Sequence, residues 1–159
     1  IGALQMDEGL LPVLVEKQAP VIIMHNRMHM RAGQGYGDLI AEIIAELAQS
    51  RDEAVAAGLA PEKIIIDPGI GFGKTPAQNR LIIKRLREFK SLGCPILLGA
   101  SRKSFINDTL SSPPGQRLEA SLAVAAWGAM QGANILRVHD VQETKKLIMM
   151  IDAVRKENG

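Results

Sequence analysis

Three stretches of the chain run from β-branched and aliphatic residues onto a polar residue and a turn. They are Ile64-Ile65-Ile66-Asp67-Pro68-Gly69, Ile96-Leu97-Leu98-Gly99-Ala100-Ser101-Arg102-Lys103 and Ile135-Leu136-Arg137-Val138-His139-Asp140. As parallel strands they would deliver Asp67, Lys103, Arg137 and His139 to one edge of one sheet. A carboxylate, an ammonium, a guanidinium and an imidazole gathered there read as a ligand site, because parallel α/β folds bind ligands outside the carboxyl ends of their strands.

The segment Asp67-Pro68-Gly69-Ile70-Gly71-Phe72-Gly73-Lys74-Thr75 ends in Gly-Lys-Thr like a phosphate-binding loop. That motif needs a glycine where Pro68 stands, so the reading fails. The dinucleotide fingerprint fails too, because its third glycine falls on Lys74. What remains is a glycine-rich turn that lets backbone approach a flat ligand, with Asp67 at its base and Phe72 available to pack on a ring. An ionised carboxylate accepts two parallel hydrogen bonds and suits an amidine-like edge, such as the 2-amino and N3–H of a pterin. The alternative use of Asp67 is as a turn former or helix cap.

Ser101-Arg102-Lys103-Ser104-Phe105-Ile106 leads from a strand into a predicted short helix. Its first N–H groups and the Ser104 hydroxyl form a positive end suited to a carboxylate or phosphate. Lys103 can donate to a ring carbonyl, while Arg102 is expected to stay solvated. Arg137 and His139 alternate with Val138 and so share a face. Arg137 can lie flat against an aromatic ring, and His139 can hold or protonate a departing anion. Asp140 is expected to cap the following helix, with Glu143 completing a capping box. His25 and His29, four apart, suit a metal only on a helix; they follow a strand without a third ligand, and zinc is not expected. Met24, Met28 and Met30 read as pocket lining or loop packing.

A helical stretch near Asp7 to Lys17 precedes a buried strand over Pro20 to His25. Asn26 to Gly37 is polar, Gly-rich and long for a βα connection, where function tends to reside. From Asp38 as N-cap, Leu39, Ile43, Leu47 and Ala54 keep helical spacing up to Gly58. Strand Lys63 to Ile66 follows. The next helix has Pro76 in its first turn and Leu81, Ile82, Leu86 and Phe89 on its apolar face, closed by Gly93. Strand Pro95 to Gly99, a helix from about Arg117 to Gln131, strand Asn134 to Val138 and a helix over Val141 to Lys156, with Ile148, Ile151 and Val154 inward, complete the order. Strand and helix thus alternate four times, at spacings of roughly 30 to 45 residues that suit βα units in a parallel sheet. Pattern alone permits an open doubly wound sheet or part of a (β/α)8 barrel, which needs about 250 residues when whole.

With 159 residues, 47% hydrophobic and 23% charged, residues 1–159 read as one core-forming domain. A formal charge of +2 with dispersed Lys and Arg, and only 3% aromatic residues, argue against nucleic acid as a partner. The single Cys94 excludes an internal disulfide framework, fits a reducing compartment and reads as a half-buried bystander. No apolar run reaches the roughly 18 to 20 residues needed to cross a bilayer. The apolar window Ser121 to Met130 is too short and reads as a buried helix carrying Trp127 and Gly128. Ile1 is followed by no basic-then-apolar leader, and the chain is expected to be a cytoplasmic piece of a longer one.

Taken together, Asp-Pro-Gly-Ile-Gly-Phe-Gly-Lys at 67–74, Gly-Ala-Ser-Arg-Lys-Ser at 99–104 and Arg-Val-His-Asp-Val at 137–141 resemble the dihydropteroate synthase family. The resemblance covers essentially the whole chain, including Met24-His25 and the Met130-Gln131-Gly132-Ala133 lead into the last strand. It implies an α/β fold of the (β/α)8 TIM-barrel family, with this chain supplying strands five to eight, a half-barrel that exposes two raw sheet edges. It implies that Asp67 grips the aminopyrimidine edge of a pterin, Lys103 its carbonyl side, and that Arg137 stacks on the ring. Arg137, His139 and the Val138 backbone are then implied to hold the diphosphate, Ser104 and its helix end the carboxylate of p-aminobenzoate, and Met24, Phe72 and Gly99 to line the pocket. The implied reaction joins (7,8-dihydropterin-6-yl)methyl diphosphate to p-aminobenzoate, assisted by Mg2+ whose protein ligand lies on the first strand, in an enzyme that is a homodimer. The chain departs from the family's Met-His-Met-x-Gly in having Met24-His25-Asn26-Arg27-Met28, so its fifth loop is expected to differ in shape. Two other readings are a folate-dependent methyltransferase and a non-catalytic pterin-binding or assembly module.

Overall fold

Four short parallel strands carry the chain's polar strand ends to one side. The structure, a computed structural model, describes residues 4, 7, 9–27 and 35–157. In chain order these form α1 (Leu10–Lys17), β1 (Val21–Met24), α2 (Leu39–Ala56), β2 (Ile64–Asp67), α3 (Pro76–Lys84), β3 (Leu97–Leu98), α4 (Ser104–Leu110), α5 (Leu118–Met130), β4 (Ile135–Leu136) and α6 (Val141–Lys156). The alternation is the predicted one, with strands shorter than expected. The long connection after β1 lies largely outside the described residues, and with it Met28, His29 and Met30.

β1 and β2 pair in parallel, with Met24 opposite Asp67, and β3 pairs in parallel with β4. A parallel bridge between Ile66 and Ile96, with the Ile66 N–H donating to the Pro95 carbonyl at 3.0 Å, joins the two pairs in the order β1-β2-β3-β4. The ladder between β3 and β4 spans two residues, and Asn134 lengthens it. Its side-chain Oδ1 accepts from the Ile96 N–H at 2.9 Å while its own N–H donates to the Ile96 carbonyl at 2.8 Å.

The helices start where local chemistry says they should. Asp38 caps α2 by accepting from the N–H groups of Ile40 and Ala41 at 3.1 Å each. Thr75 and Gln78 form a reciprocal capping box at the head of α3, with Pro76 at its first position. The helical spacing beyond α3 resolves differently: the α-helix stops at Lys84, and a tighter 3-10 segment over Leu86–Leu92 ends at Gly93, whose φ of +69° suits glycine. Ile82, Leu86 and Phe89 are buried across the change in pitch, and Leu81 is exposed.

The core lies between the sheet and α2, α3 and the 3-10 segment. Ile23, Ile43, Leu47, Ala54, Ile64, Ile66, Ile82, Leu86, Phe89 and Ile96 are fully buried or nearly so. Two apolar expectations fail on the other side. Trp127 is 48% exposed, because α5 meets the sheet through Gly128, where an added Cβ would fall on the Leu98 side chain. Trp127, one helical step away, turns outward into a groove of about 470 Å³ with Phe105, Leu110 and Val124. On α6, Thr144 is buried and Ile148 and Ile151 are half-buried, but Val154 is 64% exposed. α6 packs mainly on α5, and its Met149, Met150 and Val154 are exposed.

This packing predicts a contrast along the sheet. Ile66→Ala, at the central strand, should lower the free energy of urea unfolding by about 2–5 kcal/mol. Ile22→Ala, at a position 45% exposed on β1, should change it by under about 1 kcal/mol. Equal effects at the two positions would contradict the core described here.

Candidate active site

Asp67 ends β2 and is 1% exposed. Its Oδ1 accepts from the Gly69 N–H at 2.8 Å, an Asx-type turn, and its Oδ2 accepts from Arg137 Nη2 at 3.2 Å. Asp67 thus forms the turn with one oxygen and pairs with Arg137 through the other. Burial pushes its carboxyl up; the Gly69 N–H, Arg137, Lys103 and Lys74 pull it back without cancelling the rise. Gly69 has φ of +73°, and a Cβ there would fall on the His25 carbonyl oxygen, so only glycine fits between β1 and β2 at this point.

The turn that follows is floored by glycine and roofed by two lysines. Lys103, at the N-cap of α4, donates to the Ile70 carbonyl, and its Nζ sits 4.3 Å from the centre of the Phe72 ring. Burial lowers its pKa, and Asp67 partly restores it. Lys74 Nζ lies 2.9 Å from the Gly69 carbonyl, 3.1 Å from the Phe72 carbonyl and 2.9 Å from His25 Nδ1. Asn79, buried on α3, accepts from the Gly71 N–H at 2.7 Å and donates to the Thr75 carbonyl at 2.9 Å.

Arg137 lies across Gly99, whose missing side chain makes the room: a Cβ would come within 2.6 Å of the guanidinium. His139 Nδ1 is 3.0 Å from the Ser101 hydroxyl. Arg102 departs from expectation. It is held in a left-handed conformation at φ +57°, its N–H donates to Ser121 Oγ at 2.9 Å, and its guanidinium grips Asp140 through both carboxylate oxygens, Nε to Oδ2 at 3.0 Å. Asp140 does precede α6, but its side chain makes no cap bond and Glu143 completes no capping box. A two-pronged guanidinium contact outcompetes a single backbone N–H for that carboxylate. Thr144 serves the helix start instead, its N–H and hydroxyl donating to the Asp140 carbonyl at 3.0 and 2.7 Å.

Asp67, Lys103, Phe72, Arg137 and Gly99 thus converge at the carboxyl ends of β2, β3 and β4. His139 stands beside them on Ser101, Val138 is half-buried, Met24 is buried next to Asp67 in register, and Ser104 opens α4 at the surface. Lys74, Asn79 and Ser101 escaped the sequence reading. Lys74 belongs to a motif that fails as a phosphate loop, and Asn79 and Ser101 carry no spacing that separates them from helix and turn residues.

The end of β1 holds a second polar cluster. His25 is buried, its Nδ1 facing Lys74 and its Nε2 3.1 Å from Glu46 Oε2, a contact without hydrogen-bond alignment. Arg27, in the segment where the chain departs from the expected motif, bridges Glu42 at 2.7 Å and Glu46, and lies 4.2 Å over the Tyr36 ring. Among the described residues no three His, Cys, Asp or Glu side chains converge as metal ligands.

The model of the pterin binding enzyme family matches residues 1–139. The chain belongs to the pterin-binding enzyme family. Within that family it is 38% identical over 153 residues to the dihydropteroate synthase of Bacillus subtilis, covering 96% of this chain and 52% of that protein. It is 40% identical over 157 residues to the dihydropteroate synthase of Escherichia coli K12, covering 96% and 56%. A solved structure of the Xanthomonas albilineans dihydropteroate synthase with 7,8-dihydropteroate superposes with a TM-score of 0.90 at 33% identity, covering 96% of this chain and 57% of that one. The same enzyme with 4-aminobenzoic acid gives 0.91 at 32% identity, covering 99% and 57%. The chain spans about half the length of the pterin-binding relatives it matches.

Burial, then the neighbouring Lys74 and Arg27 charges, push the His25 imidazole from 6.5 down to about 3. The folded chain therefore refuses a proton that the unfolded chain accepts below pH 6.5, and stability should fall as pH drops from 6.5 toward 3, by up to about 1.4 kcal/mol per unit. Urea unfolding between pH 7 and 4.5 should show a shallower loss for His25→Asn than for the unaltered chain; parallel curves would contradict the assignment.

Proposed function

We propose that this chain carries the pterin diphosphate face of a dihydropteroate synthase, joining (7,8-dihydropterin-6-yl)methyl diphosphate to p-aminobenzoate to give 7,8-dihydropteroate and diphosphate in folate biosynthesis. The observation that carries the reading is the buried Asp67 carboxylate set among Arg137, Lys103 and a glycine-floored turn. Support comes from relatives named dihydropteroate synthase at 38% and 40% identity.

In this reading Asp67 accepts from the 2-amino and N3–H edge of the pterin, which takes over the place of the Arg137 Nη2 contact. Arg137, freed over Gly99, lies against the ring, and Lys103 donates to the ring carbonyl. Met24 and Phe72 line the pocket. His139, Arg137 and the Val138 backbone hold the diphosphate, and Ser104 with the start of α4 holds the p-aminobenzoate carboxylate. The aniline nitrogen attacks the pterin methylene; a C–N bond forms as the C–O bond to diphosphate breaks, and the nitrogen then releases one proton. An aniline is neutral near pH 7, so the chain's task is to hold both reactants and stabilise the departing anion rather than to supply a strong base.

We further propose that residues 1–159 are a single unit supplying strands five to eight of a (β/α)8 barrel, that Mg2+ assists from ligands outside this chain, and that the whole enzyme is a cytoplasmic homodimer. No described helix is long and apolar enough to cross a membrane. The exposed Trp127, Met130, Met149 and Val154 are apolar surface of the kind that marks association sites.

Two measurements test this. Titration of the pterin diphosphate should show Asp67→Asn binding at least about 10-fold more weakly, since one acceptor becomes a donor; unchanged affinity would remove Asp67 from the site. Sedimentation of the isolated chain should show oligomers, and a stable monomer would count against the association surfaces.

A further inference from the structure

The Lys74 ammonium has three N–H groups and no lone pair, and it faces three acceptors: the carbonyls of Gly69 and Phe72, and His25 Nδ1. Every donor is used inside the protein. The acceptors come from separate places, the end of β1 and both ends of the turn over 69–72. His25 must then carry its ring proton on Nε2, the nitrogen beside Glu46. Three N–H groups of the turn are committed as well. The Phe72 N–H donates to the Gly69 carbonyl at 3.2 Å, the Gly71 N–H to Asn79, and the Gly69 N–H to Asp67. Among the described residues, Lys74 is thus the one side chain bonded to both Gly69, which fixes the Asp67 carboxylate, and Phe72, whose ring lies under Lys103.

We infer that Lys74 is a positioning residue for pterin binding: by tying the Gly69 and Phe72 carbonyls to His25, it holds Asp67 and Phe72 in the geometry that receives the ring, and it does so only while all three of its N–H groups are present. This rests on the pterin reading of the site. The groups facing Lys74 are His25 at the end of β1, Glu46 on α2, Arg27 beyond β1, Asp67 on β2 and Lys103 at the head of α4. Burial dominates their sum and brings the Lys74 ammonium from 10.5 down to about 8; Asp67 and Glu46 oppose the fall, and Lys103 and Arg27 add to it.

The signs separate positioning from bulk stability. Above pH 8 the folded chain sheds a proton that the unfolded chain keeps up to about 10.5, so this group makes the fold more stable as pH rises through that window. The neutral amine has two N–H groups and one lone pair, so holding all three contacts requires the His25 ring proton to move from Nε2, beside Glu46, to Nδ1; the clamp loosens and pterin affinity falls over the same window. A lysine that merely props up the fold would make affinity and stability move together.

The test uses the chain itself with (7,8-dihydropterin-6-yl)methyl diphosphate as probe. Fluorescence titrations at pH 7 and pH 9 accompany urea midpoints, for the unaltered chain and Lys74→Met. The dissociation constant of the unaltered chain should rise at least about 5-fold between pH 7 and pH 9. Lys74→Met should bind at least about 10-fold more weakly at pH 7, with a smaller pH dependence than the unaltered chain and without the rise in urea midpoint between pH 7 and pH 9 that Lys74 contributes. Without any substitution, the carbonyl 13C resonances of Gly69 and Phe72 should titrate with a midpoint near 8. Lys74→Met binding like the unaltered chain, or carbonyl resonances that do not move between pH 7 and 10, would overturn the inference. Absence of pterin binding to the unaltered chain at every pH would sink the pterin reading instead, while the carbonyl titration would still decide whether Lys74 holds the turn.

Discussion

A carboxylate taken out of water destabilises a fold by several kcal/mol unless opposite charge and hydrogen-bond donors stand in for the lost solvent. Asp67 imposes that requirement on everything at the mouth of the sheet. Its two oxygens are met by the Gly69 N–H and by Arg137, and Lys103 and Lys74 stand close enough to counter its charge. Each of these partners has a condition of its own. Gly69 must lack a side chain to pass the His25 carbonyl, and Gly99 must lack one to let Arg137 reach across. The glycines at these two points are therefore part of the electrostatics of the site, since they let the compensating groups come near.

The strand register makes this possible before any side chain is placed. Met24 lies opposite Asp67, and the bridge from Ile66 to Ile96 sets the second strand pair level with the first, so the polar ends of successive strands fall in one row. That row was legible from the sequence because each strand announces itself as an aliphatic run stopping on a polar residue. α2 was equally plain, since Asp38, Leu39, Ile43, Leu47 and Ala54 all obey one helical period and all but the cap are buried.

What stayed hidden has a common physical cause. Arg102, Asp140, Lys74 and Asn79 act through partners distant in sequence, and no local spacing shows that Arg102 will find Asp140 rather than solvent. Asp140 sits at the position of a cap, yet its carboxylate is committed elsewhere. Trp127 and Val154 misled for a different reason. Apolar residue type does not by itself mean burial: α5 turns its glycine to the sheet, and α6 leaves Met149, Met150 and Val154 exposed. The split of α3 from the 3-10 segment was invisible because both pitches bring Ile82, Leu86 and Phe89 to the same side.

Asn134 shows how little regular ladder a strand needs when one residue supplies both halves of a bond pair. Its side-chain oxygen and its own N–H clasp the two polar groups of a single residue, Ile96. A slip of β4 by one residue would reverse its faces, and a slip by two would carry the asparagine away and strand the Ile96 N–H in a buried setting. The wrong alignments are thus penalised in two ways, by reversed side-chain faces and by an unpaired backbone N–H. The last βα unit therefore carries the mark of its own register in the first residue it brings to the sheet.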